Sequence, residues 1–359
     1  MSGTLLVVGE IYGNRYRVDQ YIGEGGMQEV YRAIDITLDR RVALKVPRNS
    51  AAARRFKRSA VLSARVNHPN VAKTLDYFDA DDRFYLVEEL VDGLNLSEFR
   101  RQTPRIDPYG TAHILHHLAK GIAASHHVGV IHRDLKPSNI MLDATYQLET
   151  IKITDFGIAK MAEEEMADAA MSDATITSSH TMMGALPYLS PEMVRKPRDA
   201  GLPADIWALG AIAFELLTGT KPFGGGLTAV PAILAAIVPD LPPSVMANSQ
   251  FRPLVQDIYA VITRCLQGDP AARPTADELV TACGDLCYQT ALRFTGRVNN
   301  ILYSAYGFIS PDQDGNPVFF HFESVYGVPP SVGDRVWYAR FDGEPCERAH
   351  PVVPLVSVQ

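Results

Sequence analysis

The stretch "HRDLKPSN", residues 132–139, places Asp134, Lys136 and Asn139 in one short segment. Asp155 of "ITDFG" follows sixteen residues after Asn139. Two carboxylates, an amide and a lysine suit a reaction in which a hydroxyl is oriented, Mg²⁺ is held and phosphate charge is neutralised. The stretch therefore predicts phosphoryl-transfer chemistry.

Three regions of different texture surround this stretch. Residues 11–91 contain short alternating segments punctuated by Gly, which predict a strand-rich sheet with one inserted helix. Residues 92–290 are dominated by apolar segments of helical period. Alternation returns over residues 295–356 between Gly and Asp turns, which predicts a small β module. The fold class is therefore α+β.

Composition narrows the setting. The net charge of −7 argues against a broadly basic protein that coats nucleic acid. The beginning of the chain lacks a signal-peptide pattern, and the apolar runs are too short and too Pro-bounded to span a bilayer. We expect a cytoplasmic protein without membrane contact. The four cysteines have no paired metal-ligand spacing, so we expect ordinary buried thiols: Cys265, Cys283, Cys287 and Cys346.

Eight motifs follow one another in a fixed order between about residues 16 and 285. They are "IGEGGMQEVY", "VALK", "HPN", "HRDLKPSN", "DFG", "LSPE", "DIWALG" and "DPAARP". In this order they resemble the eukaryotic-type, bacterial-like Ser/Thr protein kinases. The resemblance implies a two-lobed fold, with a β-rich N-lobe over 11–91 and a helical C-lobe over 92–290. It also implies ATP, Mg²⁺ and protein substrates that carry Ser or Thr.

The resemblance assigns roles to individual positions. Asp134 would orient the substrate hydroxyl, and Lys136 would contact the transferring phosphate. Lys45 would pair with the α and β phosphates, while Asn139 and Asp155 would hold Mg²⁺. The nucleotide pocket would be formed by Ile22, Gly23, Gly25, Val30, Ala43, Lys45, Glu88, Glu89, Val91, Met141 and Asp155.

Two further assignments are structural. Glu192 of "SPE" should form a buried ion pair with Arg273 of "DPAARP". Asp205 of "DIWALG" should brace the backbone of the loop that carries Asp134.

One departure from the family concerns the helix predicted before "HPN". The family presents a Glu there to pair with the lysine of "VALK", but Ser59 occupies the position and residues 51–70 contain no carboxylate. Helical geometry places Ser59 on the same side as Phe56, facing the cleft. Glu88 is a candidate replacement partner for Lys45. Alternatively, Glu88 points into a wet gap, or the pocket is impaired and the chain is a pseudokinase that serves as a signalling scaffold.

Two other departures affect the same region. Gln28 replaces the third glycine of the Gly-rich loop, and Ala185 replaces a threonine that would hydrogen-bond to the catalytic loop. Residues 161–183 predict a mobile regulatory segment, and Arg133 is placed to bind a phosphate on it. The candidate phosphorylation sites lie within 172–181 and are Thr175, Thr177, Ser178, Ser179 and Thr181.

The tail contains "YGFI" and "VFFHF" on either side of an Asp/Gly-rich turn. This pattern resembles the cold-shock version of the five-stranded OB barrel over residues 295–356. The resemblance implies that aromatic rings on adjacent strands stack on single-stranded bases: Tyr306, Phe308, Phe319, His321 and Phe322. A formal charge of −3 over 295–359 disfavours nucleic acid. The alternatives are a module that packs on the helical lobe and one that binds protein.

Overall fold

The first part of the chain is a six-stranded antiparallel sheet. The computed structural model describes residues 4–24, 28–48, 56, 60–143, 147–156, 184–313 and 315–356. The sheet has the order β1-β2-β3-β4-β6-β5. Its strands are β1 (Ile11–Tyr12), β2 (Tyr16–Glu24), β3 (Gln28–Asp35), β4 (Arg40–Pro47), β5 (Thr74–Ala80) and β6 (Arg83–Glu89). Alternating apolar residues of these strands form a core that includes Tyr16, Tyr31, Leu44 and Tyr85.

The segment between β4 and β5 contains helical residues at 60–63. Phe56, Ala60 and Val66 are buried, and Arg65 is exposed, as the helical pattern predicts. Phe56 and Ala60 pack on Leu86 of β6. Ser59 lies outside the described residues, so its predicted orientation towards the cleft stays a prediction.

The second part is mostly helical. It begins with a three-stranded sheet of β7 (Gly93–Asn95), β8 (Ile140–Asp143) and β9 (Ile151–Ile153). Its helices are α1 (Leu96–Gln102), α2 (Pro108–His127), α3 (Pro191–Arg195), α4 (Pro203–Thr218), α5 (Val230–Ala235), α6 (Pro243–Met246), α7 (Arg252–Cys265) and α8 (Ala276–Gly284). Almost every residue of α4 is buried, which makes it the central helix of this part.

Local sequence fixes the ends of the two long helices. The Asp107 side chain accepts hydrogen bonds from the backbone N–H groups of Tyr109 and Gly110, and Pro108 occupies the first helical position of α2. Helix α4 ends at Gly219, whose φ of +83° is strained for residues with a side chain. These caps set where α2 begins and where α4 ends.

The third part is a closed barrel of five strands in the order β10-β11-β12-β14-β13. The strands are β10 (Arg293–Leu302), β11 (Tyr306–Pro311), β12 (Val318–His321), β13 (Arg335–Phe341) and β14 (Arg348–Pro354). Val298, Ile309 and Phe320 point inward. Gly307 is required for this packing, since a Cβ there would lie 2.2 Å from the Asn300 carbonyl oxygen.

The barrel packs directly on the helical part. Tyr326, Trp337 and Val353 of the barrel are buried in the same apolar core as α2 and α4. The Trp337 ring meets the Phe99 ring of α1 edge-on at 5.5 Å. Of the alternatives left open for this module, packing on the helical lobe is therefore confirmed.

The cysteines do not all follow the expected pattern. Cys265 and Cys283 are buried, but Cys287 is exposed and Cys346 is partly exposed, so the expectation of four buried thiols was wrong for these two. Both lie in irregular segments at the surface, where no core covers them. Among the described residues, no helix is both long and apolar enough to cross a membrane.

Three histidines of α2 lie together against the rest of the helical part. The rings of His113 and His117 are 4.4 Å apart. The Asn70 side-chain amide donates to Nδ1 of His117 at 3.0 Å and to the Ile151 carbonyl oxygen at 2.8 Å. Burial, followed by the charges of neighbouring His and Lys side chains, lowers the pKa of His117 to about 4. This histidine is therefore neutral in the folded protein over a wide pH range.

We predict that His117 makes the protein sensitive to acid. The unfolded chain binds a proton at His117 near pH 6.5, whereas the folded chain binds it only near pH 4, so this contribution to stability is lost as pH falls through that window. His117→Gln keeps an acceptor for Asn70 and should reduce the loss by about 2 kcal/mol. Urea unfolding at pH 7 and at pH 4.5 measures how much the free energy of unfolding falls between these two pH values.

The matched control is Val128→Ala, which changes an exposed side chain just after the same helix and removes no titratable group. It should leave the pH dependence as in the unmodified protein. Equal pH dependence in the His117 variant and this control would contradict the prediction.

Candidate functional site

A cleft of about 1100 Å³ lies between the six-stranded sheet and the helical part. The sheet forms its roof, and β8 with the segment after β9 forms its floor. Predicted pocket residues that line it are Ile22, Gly23, Val30, Ala43, Lys45, Glu88, Glu89, Val91, Met141 and Asp155. Lys136 and Asn139 also face this cleft. Gly25 lies outside the described residues.

Lys45 lies between two carboxylates at the back of the cleft. Its Nζ donates to Oε2 of Glu88 at 2.5 Å and to Oδ1 of Asp155 at 2.7 Å. Glu88 reaches Lys45 because β4 and β6 pair with Ala43 opposite Glu88. Lys45 is two residues further along the same face, so the two long side chains are diagonal neighbours. The contact is therefore a product of strand register.

Burial and charge act on this trio in opposite directions. The side chains of Lys45 and Glu88 are only 6% and 5% exposed, so each needs a partner. Burial opposes the charge on Lys45, but Asp155 and Glu88 outweigh it and raise the pKa of Lys45. Burial raises the pKa of Glu88, and Lys45 opposes that rise. Burial also acts to raise the pKa of Asp155, but Lys45 and Gln28 together hold it below its usual value.

Gln28 reaches across the cleft from the first residue of β3. Its Nε2 donates to Oδ1 of Asp155 at 2.9 Å, the same oxygen that accepts from Lys45. Its Oε1 is buried without a hydrogen-bond partner. The sequence showed Gln28 only as a missing glycine. A buried amide at the first position of a strand over a polar cleft was a signal that it needed a partner there.

The loop at 132–139 is held together by its own side chains. Lys136 Nζ donates to Oδ2 of Asp134 at 2.7 Å. The Asn139 amide donates to the Asp134 carbonyl oxygen at 2.9 Å and to its Oδ2 at 3.2 Å. The side-chain oxygen of Asn139 accepts from the Ser138 hydroxyl at 3.4 Å. The backbone of Asn139 also accepts from the Thr154 N–H, which joins this loop to Asp155.

Asp205 braces this loop from below, as predicted. Its carboxylate accepts from the backbone N–H groups of His132 at 2.9 Å and Arg133 at 2.8 Å, and it contacts Nε2 of His126 at 2.9 Å. Burial opposes the charge of Asp205, but these partners hold its pKa below its usual value. Arg133 and Asp155 have φ values of +65° and +62°, conformations that surrounding contacts must enforce.

The second predicted ion pair is also present. Arg273 donates to both carboxylate oxygens of Glu192, at 2.6 and 2.9 Å, and its side chain is 0% exposed. The pair ties the segment after Ala185 to the end of the helical part. Ala185 itself is buried beside Asp134 and Tyr188, where a small cavity of about 10 Å³ remains.

The front of the cleft contains a charged cluster that the sequence analysis did not identify. Glu215 of α4 is buried, and its two oxygens accept from Arg100 of α1 and from the Tyr188 hydroxyl, each at 2.5 Å. Arg100, Tyr188 and Glu215 line the same cleft as Lys45. A single carboxylate within the apolar run "ALGAIAFELLTG" was the available signal, because such a group must be paired when buried.

Two predicted features fall outside the description. The segment 161–183, with its candidate phosphorylation sites, is not among the described residues, and neither is Ser59. Of the two orientations considered for Glu88, the structure has the one in which the carboxylate contacts Lys45, and not the one in which it points into a gap.

Comparisons with known proteins agree with this geometry. Residues 16–282 match the family described as "Protein kinase domain". Serine/threonine-protein kinase PrkC of Bacillus subtilis (strain 168) is 36% identical over 281 residues, which are 76% of this chain and 41% of that protein.

Two other relatives are similar at comparable levels. Probable serine/threonine-protein kinase PknB of Lactococcus lactis subsp. lactis (strain IL1403) is 35% identical over 72% of this chain and 40% of its own length. Serine/threonine-protein kinase PknA of Mycobacterium tuberculosis (strain ATCC 25618 / H37Rv) is 34% identical over 67% of this chain and 56% of its own length. The aligned region thus spans about two fifths to just over half of these relatives. With the family match covering most of its length, this chain belongs to the protein kinase domain family.

Proposed function

We propose that the chain transfers the γ-phosphoryl group of ATP to Ser or Thr hydroxyls of protein substrates. The observation that carries this proposal is the buried Lys45 ammonium, fixed between Glu88 and Asp155 beside the loop that carries Asp134. Serine/threonine protein kinases among its relatives support the choice of hydroxyl. The 161–183 segment is the proposed place of regulation by phosphorylation.

The adenine would lie between the apolar side chains of the roof and the floor. Ile22 and Val30 come from β2 and β3, and Met141 comes from β8 below. Ala43 leaves room for the ring, and the backbones of Glu89 and Val91 would supply hydrogen bonds at its edge. The N–H of Glu89 already donates to the Lys73 carbonyl oxygen, so the Glu89 carbonyl is its available group.

The phosphates would extend from the adenine towards Lys45 and Lys136. Asn139 and Asp155 line this end of the cleft and provide the kind of oxygen atom that Mg²⁺ prefers. No group of three His, Cys, Asp or Glu side chains within the described ranges is arranged for a metal. A site with few protein ligands is suitable for Mg²⁺, because the nucleotide phosphates supply other ligands to the ion. When bound, Mg²⁺ would neutralise phosphate charge.

The chain's own residues would carry out the remaining steps. Asp134 would accept a hydrogen bond from the substrate hydroxyl and take its proton as the new O–P bond forms. The bond between the γ-phosphorus and the β–γ bridging oxygen would break in the same step, and ADP would leave with that oxygen. The Lys136 ammonium, whose Nζ lies 2.7 Å from Oδ2 of Asp134, would turn towards the transferring phosphate and stabilise its negative charge. Lys45 would hold the α and β phosphates, and its position would depend on Glu88.

The test is transfer of radiolabelled phosphate from ATP to a generic basic protein. Asp134→Asn should lower the rate by about a hundredfold or more, since it removes the proton acceptor. Glu88→Met should lower kcat/KM for ATP by about ten- to a hundredfold, because Lys45 then keeps one carboxylate and loses its fixed position. Glu149→Gln, at an exposed carboxylate, is the control and should match the unmodified protein.

Melting temperature and binding of a fluorescent ATP analogue show whether each variant is folded. Equal transfer in the unmodified, Asp134 and Glu88 proteins would overturn the enzyme proposal. Nucleotide binding without transfer in the unmodified protein would instead establish the pseudokinase alternative.

We also predict that Gln28 competes with magnesium-bound nucleotide for Asp155. Gln28→Gly removes a donor from the Asp155 carboxylate and a buried oxygen without a partner. One hydrogen bond to a charged group is worth about 1.5–3 kcal/mol, so Mg²⁺-ADP should bind at least several-fold more tightly. Calorimetric titration with and without Mg²⁺ measures the change. Weaker binding in the presence of Mg²⁺ would show that Gln28 helps to hold the metal instead.

For the barrel, we propose an OB-like, cold-shock-like identity and a surface for single-stranded nucleic acid. Its closed five-stranded order supports the first part. The second part is supported by the pairing of β11 with β12, which places Tyr306 opposite His321 and Phe308 opposite Phe319. Alternate residues of these strands point away from the barrel interior. The Phe308 and Phe319 rings are 5.8 Å apart, and Arg348 lies 5.9 Å from the Phe319 ring.

Charge limits the expected affinity of this surface. Arg335 pairs with Asp312, and Arg340 pairs with Glu347, so two of the module's arginines are partly neutralised. Binding should therefore rest mainly on base stacking rather than on phosphate contacts.

The prediction is weak binding of labelled oligo-dT and oligo-U at low salt, measured by fluorescence anisotropy. Phe308→Ala should weaken it about tenfold or more, because one stacked base is worth about 1–3 kcal/mol. Val328→Ala, at a site that is 78% exposed elsewhere on the module, is the control. Lack of binding, or equal binding by the Phe308 variant, would refute the nucleic-acid proposal.

A further inference from the structure

The barrel contacts both elements that hold the buried Glu215. Helix α1 carries Arg100, whose guanidinium donates to Glu215 at 2.5 Å and to the Gly219 carbonyl oxygen at 3.2 Å. Helix α4 carries Glu215 itself, one turn before its end. The barrel meets each helix within two residues of these charged groups.

The contact with α1 is apolar and edge-on. Phe99, the residue before Arg100, packs against Trp337 of β13, which is completely buried. The Arg293 guanidinium lies over the Trp337 ring, 4.5 Å from its centre. The backbone N–H of Val356 also donates to the backbone carbonyl oxygen of Gln102 in α1, at 2.8 Å. The barrel therefore fixes α1 along its length.

Arg293 also connects the barrel to the start of α2. Its Nη2 donates to Oδ1 of Asp107 at 3.0 Å, and Nη1 lies 2.9 Å from Oδ2 as an ion pair without hydrogen-bond alignment. The side chains of both residues are almost completely buried. Asp107 is the N-cap of α2, so the loop between α1 and α2 is held at one end by the barrel.

A hydrogen bond connects the barrel to the end of α4. The buried Tyr326 hydroxyl donates to the Leu217 carbonyl oxygen at 2.9 Å. Leu217 lies in the last turn of α4, where carbonyl groups lack a partner within the helix. The Tyr326 hydroxyl therefore gives this terminal carbonyl a hydrogen-bond partner, two residues after Glu215.

Glu215 connects α1 and α4 to Tyr188 at the front of the cleft. Its second oxygen accepts from the hydroxyl of Tyr188, in the short 3₁₀ turn Leu186–Tyr188 just before the "SPE" segment. Tyr188 and Lys221 line the same cleft as Lys136. The contacts thus run from Trp337 and Tyr326 through α1 and α4 to Glu215 and Tyr188.

We propose that Trp337 and Tyr326 of the barrel are positioning residues for the peptide side of the cleft. This inference rests on the proposed function, since it assigns the front of the cleft to the peptide substrate. The barrel holds α1 and the end of α4 at a fixed separation. That separation keeps Arg100 and Tyr188 on the two oxygens of Glu215. The contacts on this route lie in the barrel and the helical part.

The test uses the full chain with Tyr326→Phe, which removes one hydroxyl, and Trp337→Phe and Trp337→Ala as a graded pair. Tyr259→Phe is the matched control, because it removes another tyrosine–carbonyl hydrogen bond of the helical part, 3.1 Å to Pro239, away from the barrel. Hydrogen–deuterium exchange is followed over 96–105, 184–190 and 213–221, with β3–β6 as the internal reference.

We expect faster exchange at 184–190 and 213–221 in Tyr326→Phe and Trp337→Ala, partial rescue in Trp337→Phe, and no change there in Tyr259→Phe. With a peptide substrate, KM for peptide should rise about two- to tenfold, as expected for loss of one hydrogen bond, while KM for ATP stays constant. Unchanged exchange at 184–190 in a folded Trp337→Ala protein would overturn the inference, and so would equal changes in both KM values.

The two readouts separate this inference from the proposed function. If the unmodified chain transfers no phosphate, the proposed function fails, but the exchange pattern still decides whether the barrel holds Tyr188. If transfer occurs and the exchange pattern is unchanged, the enzyme proposal stands and the barrel has no positioning effect.

Discussion

The buried ammonium of Lys45 is the charge on which the cleft depends. A cation this far from water is stable only with anions in direct contact, because desolvation costs several kcal/mol per ion in proteins. Glu88 and Asp155 supply those anions from two different parts of the chain, at 2.5 and 2.7 Å. The same contacts that keep Lys45 charged therefore also hold the sheet against the helical part. Position, charge and lobe arrangement are coupled in one cluster.

Much of this arrangement could be predicted from sequence because it follows from local rules. The strand pattern of 11–91, the helical period of 92–290 and the return of strands after 295 each depend on hydrophobic spacing within a few residues. The contact between Lys45 and Glu88 was predictable for a similar reason. Both residues lie on strands, and antiparallel pairing places the two on one face.

The unpredicted features depend on contacts between segments that are far apart in sequence. Nothing near Gln28 indicates that its amide reaches Asp155, 127 residues later. Similarly, nothing near Arg100 indicates that its guanidinium meets Glu215, 115 residues later. In both cases the sequence showed a polar residue that needed a partner, but not which partner it has. Spacing rules do not extend across a packed core.

The barrel shows the same limit at the scale of a domain. The alternation after residue 295 predicted its strands, and the aromatic residues of β11 and β12 lie on adjacent strands as expected. Its docking depends on Arg293 and Trp337, which are indistinguishable in sequence from ordinary strand residues. The family match ends at residue 282, whereas the apolar core of the helical part continues into the barrel. A boundary drawn from homology would therefore cut through a shared core.

The partner of Lys45 lies on the strand next to it, and this has a consequence for control. Two neighbours in one hydrogen-bonded sheet cannot separate without breaking the ladder between β4 and β6. The ion pair is thus assembled as soon as the sheet folds, and a rigid-body movement of a helix cannot disconnect it. An on–off mechanism in this chain would therefore act on parts of the cleft other than the separation of these two strands.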